Sequence, residues 1–206
     1  MRTILGVILA GGLSQRMGGG DKALRALGRG SMLARVLARL APQVDMMVLN
    51  ANGDPGRFAQ FGLPVVQDGV PDHPGPLAGI LAGMDWAAIH RPDLSYVASV
   101  AADTPFFPED LVAGLSGVME PELELAVARS PSGIQPVFGL WRVDLRDDLR
   151  LFLAVSQRHR VQDWIARHRH QLVDFPAMDG RDPFFNVNTP EDLAAAALLV
   201  AGEGLS

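Results

Sequence analysis

A three-layer α/β fold, with a mostly parallel sheet covered by helices on both faces, is what this 206-residue sequence predicts. Three observations carry the prediction. Short apolar runs rich in valine, isoleucine and leucine alternate with longer amphipathic stretches, the pattern of strands buried on both faces. Each run ends abruptly in a polar or glycine-rich cluster. No repeat, low-complexity block or linker rich in proline and serine divides the chain, and its length suits one domain.

The elements follow in order. Ile4–Leu9 is the first strand, and Met32–Leu40 a helix with Leu33, Val36, Leu37 and Leu40 at helical spacing. Met46–Leu49 and Leu63–Val66 are strands two and three. Leu77–Ile89 is a helix opened by Gly75-Pro76, since proline is tolerated in a first turn. Tyr96–Ala101 is the fourth strand, followed by a helix over Pro108–Met119 with the acids Glu109 and Asp110 in its first turn. Leu123–Ala128 and Val137–Trp141 are further strands, Val161–His168 a helix and Gln171–Phe175 the last strand. Pro190–Val200 closes the chain as a helix capped by Thr189, with Asp192 at the capping-box position.

Composition narrows the function classes. The formal net charge of −5 lacks the broad basic field of a nucleic-acid binder. With no cysteine, disulfides, thiolate metal sites and cysteine nucleophiles are excluded. The opening MRTILGVILA has the start of a secretory signal, but Gln15, Arg16 and Asp21 stand where a small-residue cleavage site belongs, and the run reads as a buried strand. The apolar run Leu193–Ala201 is far shorter than the ~20 residues of a spanning helix. The expectation is a cytoplasmic protein with neither a nucleic-acid nor a membrane partner.

In sheets of this kind, ligands bind beyond the carboxyl ends of the strands, near the point where strand order reverses. The segments there are AGGLSQRMGGGDK, NANGD, QDG, ADTPFF and NVNTPEDL. The first fails the Walker pattern, because Lys22 follows Asp21 and precedes Ala23. It also fails the dinucleotide fingerprint, because Gly11 and Gly12 are adjacent and the second strand runs into Asn50 rather than an acid. A plain turn does not need so long a loop or its two cations. The remaining reading is a loop that wraps a triphosphate. Gly11 and Gly12 let backbone N–H groups approach phosphate oxygens, Arg16 grips them bidentately, and Gly18 to Gly20 let Lys22 fold back as a point charge.

These residues resemble a known family. LAGGLSQRMGGGDK is similar to the signature Leu-Ala-Gly-Gly/Ala-x-Ser-x-Arg-Met-Gly-x-x-x-Lys of sugar-nucleotide-type nucleotidyltransferases, and within them it most resembles the molybdenum cofactor guanylyltransferases (MobA). VLNAN, VVQD, HPGPLAGILAGM, AADTPFFPEDL and NVNTPEDL resemble stretches of the same family in the same order, over about residues 4 to 195 and most weakly between 142 and 180. The resemblance implies a Rossmann-like nucleotidyltransferase fold in a single domain. Its nucleotide-binding half would span about residues 1–105 and its acceptor-binding half about 106–206. It implies Mg²⁺-dependent transfer of GMP from GTP to the phosphate of molybdopterin or the molybdenum cofactor, with release of pyrophosphate. It also implies transient contact with cofactor-synthesis proteins or molybdoenzyme chaperones.

Candidate residues follow from both lines. Asp103, at the end of the fourth strand, serves as a cap or surface acid on its own; the resemblance gives it the Mg²⁺. Asn50 and Asp68 end strands two and three as turn residues, or as partners of a base edge. The family's GTP-binding positions match Leu9, Ala10, Gly11, Lys22, Asn50 and Asp68, with Gly12 in the same loop. Gly79, in the first turn of its helix, leaves room for a base or ribose to approach. Asn186 and Asn188 share one side of an extended segment and could orient the acceptor or a metal-bound water, although capping explains much of that motif. Arg158, His159 and Arg160 are a solvated turn or a receiver for the pterin phosphate, whereas His73, His90, His168 and His170 lack metal-ligand spacing. Lys22, Arg16 and Asp103 are the expected catalytic set. Two alternatives stay open: a sister enzyme using CTP, which usually shows Ala-Ala-Gly where this chain has Ala10-Gly11-Gly12, and a non-catalytic GTP-binding module.

Overall fold

A computed structural model describes residues 2–11, 21–70, 75–156 and 159–203. Its centre is a seven-stranded sheet built on the first apolar run, β1 (Ile4–Leu9). The period-2 alternation of a strand sorts the β1 side chains: Ile4 and Ile8 point to one face, Leu5 and Val7 to the other, all buried. Parallel partners lie on both sides of it, β4 (Met46–Asn50) and β6 (Tyr96–Ala101), with β5 (Val65–Val66) parallel beyond β4. Past β6 the sheet continues through β8 (Gly133–Arg142), β7 (Leu125–Ser130) and β9 (His170–Asp174), giving the order β5-β4-β1-β6-β8-β7-β9. Within this sheet, among the described residues, only the pairings made by β8 are antiparallel.

The predicted three-layer α/β architecture is the one observed. One face carries α1 (Met32–Leu40) and α3 (Leu111–Gly117), whose Leu33, Val36, Leu40, Leu111 and Leu115 bury against Ile8, Val100 and Ala126. The other face carries α2 (Pro76–His90), α4 (Arg146–Val155) and α5 (Val161–Ile165), packed through Leu77, Ile80, Met84, Phe152 and Trp164 on Val7, Val97 and Trp141. The closing helix, α6 (Pro190–Glu203), packs on a small hairpin, β2 (Ala26–Leu27) and β3 (Gly30–Ser31), through Ala196, Leu27 and Met32. Two glycines let α2 lie close to the sheet. A Cβ on Gly83 would stand 2.3 Å from Val7 Cγ2, and one on Gly79 2.3 Å from Asn50 Oδ1.

Several boundaries differ from those predicted. The helix expected from Pro108 begins at Leu111, because Pro108 to Asp110 form a turn in which the Leu111 N–H donates to the Pro108 carbonyl (3.2 Å). The Val161 helix stops at Ile165 and gives way to turns closed by Arg167 and His168. The strand expected at Val137–Trp141 starts at Gly133, and Pro136 falls where the β7–β8 register shifts, a place that asks for no ladder N–H. Helix α4 and the β2–β3 hairpin lie outside the predicted elements. For α4 a signal exists: Leu149, Phe152 and Leu153 have helical spacing, and Asp147 and Asp148 sit in the first turn. Among the described residues no helix is long and apolar enough to cross a membrane.

Candidate active site

The chain leaves β1 for β4 and β5 on one side, then returns through α2 to β6 on the other, so strand order reverses at the β1/β6 boundary. A cleft of about 650 Å³ opens there, beyond the carboxyl ends of the strands. The strand ends are tied where they meet it. The Ala10 N–H donates to the Asn50 carbonyl (2.9 Å), Ala51 to Val66 (3.0 Å) and Ala102 to Leu9 (3.0 Å). Leu9, Ala10, Gly11, Asn50, Asp68, Asp103 and Asn186 all line this one cleft.

Lys22 begins a short 3₁₀ turn and, like Asn188, is not itself among the lining residues; it meets the cleft through Asp103 and Asn186, which are. Its ammonium donates to Asp103 Oδ2 (2.6 Å) and Asn188 Oδ1 (2.6 Å), with Asn186 Oδ1 at 3.5 Å. Three neutral or anionic oxygens thus surround one cation. The period of two that places Asn186 and Asn188 on one side is what lets both face Lys22. Their backbone is held from two directions. The intervening Val187 N–H donates to the Asp103 carbonyl (2.9 Å), joining this segment to the turn after β6. Asp192 Oδ2 accepts from the N–H groups of Asn188 and Thr189 (2.9 Å each), while Thr189 Oγ1 accepts from Asp192 N–H (3.1 Å), the expected capping box. These bonds, Asn188 first and Thr189 with it, outweigh burial and hold the Asp192 carboxyl below its ordinary pKa.

The opposite wall is an amide–carboxylate set. Asn50, 4% exposed, donates from one amide nitrogen to the Val66 carbonyl (3.2 Å) and to Asp68 Oδ1 (2.9 Å). Asn52 donates to Asp68 Oδ2 (2.7 Å) and accepts from the Asp68 N–H (2.9 Å). Each oxygen of Asp68 therefore receives one amide N–H and keeps lone pairs for a ligand. Asn52 escaped the sequence reading, although it follows the second strand in NANGD, and so did Arg57 and Val137, which also line the cleft, as do Gly75 and Pro76 of the GPLAGI stretch.

The sequence predicts a ligand approach at Gly79, which is not among the residues that line the cleft, and protein fills the space on its Cβ side. Gly79 is buried, and a Cβ there would stand 2.6 Å from Leu9 Cδ2 and 2.8 Å from Asn50 Cγ, so the missing side chain makes room for Asn50. Arg160 stands at the start of α5, where its carbonyl accepts from the Asp163 (3.1 Å) and Trp164 (3.4 Å) N–H groups, and it does not line the cleft. Gly12, Arg16, Gly18 to Gly20, His73 and Arg158 lie outside the described residues. Among those described, no three histidine, aspartate or glutamate side chains gather as a metal cage. A cation at this cleft would rest on Asp103 and amide oxygens, completed by ligand oxygens and water, as suits Mg²⁺.

A family model described as "MobA-like NTP transferase domain" matches residues 6–172. A molybdenum cofactor guanylyltransferase of Nitrobacter hamburgensis is 54% identical over 200 residues, covering 97% of this chain and 95% of its own. One of Bradyrhizobium sp. is 53% identical over 199 residues, covering 96% and 93%. The crystal structure of molybdopterin-guanine dinucleotide biosynthesis protein A from Archaeoglobus fulgidus superposes with a TM-score of 0.73 at 18% identity, covering 96% of this chain and 99% of that one, which speaks for the fold.

Proposed function

The chain belongs to the MobA-like NTP transferase family and is a nucleotidyltransferase, and from that premise we propose that it transfers GMP from GTP to the terminal phosphate of molybdopterin or the molybdenum cofactor. The observation that carries the reading is the two-walled cleft at the β1/β6 boundary. One wall offers the Lys22 ammonium among Asp103, Asn186 and Asn188; the other offers Asp68 braced by two amides. The names of the relatives at 54% and 53% identity support the choice of nucleotide and acceptor.

In this reading the triphosphate lies over the end of β1, against Ala10, Gly11 and Lys22. The Asp68 carboxylate accepts from the N1–H and exocyclic amine of guanine, and Asn50 holds Asp68 in place. A base with the wrong edge would leave these groups unpaired, which is costly in a closed site. An oxygen of the acceptor phosphate attacks the α-phosphorus. The bond from that phosphorus to the bridging β-oxygen breaks, and pyrophosphate departs. No protein nucleophile takes part. Lys22 binds the charge that develops on the leaving group.

The Lys22 surroundings fit Mg²⁺, because three hard oxygen donors already converge on one cation. Asp103 would hold the ion, with Asn186 and Asn188 next to it, and when bound it would supply further neutralisation of phosphate charge. The nucleotide would occupy the half formed by residues 1–105 and the acceptor the half formed by 106–206, with Asn186 and Asn188 at their junction; Arg158 and Arg160 belong to that second half. The setting proposed is the cytoplasm, with cofactor-synthesis proteins or molybdoenzyme chaperones as transient partners.

The test follows pyrophosphate from purified protein, Mg²⁺ and carrier-bound molybdopterin, with GTP, CTP and ATP in parallel. Release with GTP alone is expected. Release with CTP overturns the nucleotide assignment, and binding of GTP without release overturns catalysis.

A further inference from the structure

Arg57 belongs to no strand or α-helix and to none of the motifs singled out in the sequence, yet it is bound on every side. Its Nη1 donates to Asp21 Oδ1 at 2.5 Å, a pair whose side chains are only 31% and 18% exposed. Its Nη2 donates to the Asn52 carbonyl (2.5 Å) and its Nε to the Asp54 carbonyl (2.9 Å). The guanidinium also stands 5.0 Å from the ring centroid of the buried Phe58. A guanidinium held at Nε, Nη1 and Nη2 has a fixed orientation before any ligand arrives.

What Arg57 joins gives this arrangement a consequence. Asp21 is the residue before Lys22 and stands at the start of the turn, where its backbone carbonyl accepts from the Leu24 N–H (3.1 Å). Asn52 is the residue whose side chain braces Asp68. The ion pair therefore bridges the segment that presents the lysine and the segment that presents the base-edge carboxylate, and both ends line the cleft. We propose that Arg57 is a positioning residue for nucleotidyl transfer, a strut through Asp21 that fixes the distance between the phosphate-binding and base-binding walls. The proposal rests on the nucleotide reading above. Two weak subsites tied at the right spacing bind a joined ligand far better than either fragment, because the second contact is made at high effective concentration. Cutting the strut loosens the spacing and leaves each subsite intact.

The test is a set of titrations with Mg²⁺ present, using GTP, guanosine and tripolyphosphate against wild type, Arg57→Gln, Asp21→Asn and the double variant. Affinity for GTP is expected to fall about tenfold in each single variant, the size of a lost charge-assisted hydrogen bond, and no further in the double. Guanosine and tripolyphosphate are expected to bind all four proteins alike. An equal loss for tripolyphosphate in Arg57→Gln overturns the proposal, since Arg57 would then be a phosphate contact. So does unchanged GTP affinity, an additive double variant, or a loss for both fragments together with a lower melting temperature. Failure of the GTP reading shows in the wild type alone as preference for another nucleotide; the four proteins are then compared on that nucleotide, its nucleoside and tripolyphosphate.

Discussion

Gly79→Ala tests how α2 supports the candidate site. The new methyl would stand 2.3 Å from Asn50 Oδ1, where ordinary contact begins near 3.4 Å, so one side must retreat by about 1.1 Å. The helix is poorly placed to yield, because Leu77, Ile80, Leu81 and Met84 are buried against the sheet along its length. Asn50 yields instead and loses its bonds to Val66 and Asp68. Overpacking costs about 1–3 kcal/mol, and a buried amide left without partners costs about 1–3 kcal/mol more. Alanine's better helix propensity returns up to ~1 kcal/mol. The net loss is then about 3 kcal/mol, which in a chain of this size lowers the melting temperature by roughly 6–12 °C. GTP affinity is expected to fall with it, since Asp68 loses one of its two amide braces. Thermal melts and GTP titrations check both, with Gly117→Ala as the control. An added Cβ there meets nothing within 4 Å, so that variant should melt at or above wild type, in keeping with the ~0.4–1 kcal/mol a compatible Gly→Ala change brings. A Gly79→Ala protein that melts and binds GTP like wild type would refute the reasoning.

Other outcomes can be read in the same assays. Lys22→Met should reduce pyrophosphate release by about 10²–10³ and, because the pair with Asp103 is mostly buried at 14% and 26% exposure, lower folding stability by about 1–3 kcal/mol; near-normal turnover at saturating Mg²⁺, well below the melting temperature, would rule out the role. Ser99→Ala should cost about 1–3 kcal/mol in denaturant melts, since the buried Ser99 hydroxyl accepts from Trp141 Nε1 (2.8 Å) and donates to the Val137 carbonyl (2.5 Å). Asp192→Asn should show a pH signature. The folded pKa of Asp192 is lowered, chiefly by the Asn188 N–H, so its stabilising charge is present above the unfolded value of ~3.9 and is lost as pH falls through the folded value. The melting-temperature gap between wild type and variant should hold from pH 7 to about 5 and close below about 4; a gap constant down to pH 3 contradicts it.

Sequence by itself determined the strands and the ends at which chemistry sits. A buried strand needs an unbroken apolar run, and the chain must turn polar where it leaves the sheet, so Ile4–Leu9 and Tyr96–Ala101 are legible with both their bounds. The helix Met32–Leu40 and the Thr189–Asp192 cap are local patterns too, settled within a few residues. Lys22, Asp103, Asn50 and Asp68 could be named from motifs for the same reason. Tertiary structure alone decided which of them meet. Lys22 finds Asp103 81 residues away and Asn188 166 residues away, separations that no local pattern encodes. Short elements stayed hidden because their order comes from what packs on them: β2 and β3 have two residues each, and Arg57 sits in a 3₁₀ stretch without strand or α-helical periodicity. Gly79 shows the limit most plainly. A glycine in a sequence announces that space is needed, but only the packed fold says whether a ligand fills it or, as here, the amide of Asn50.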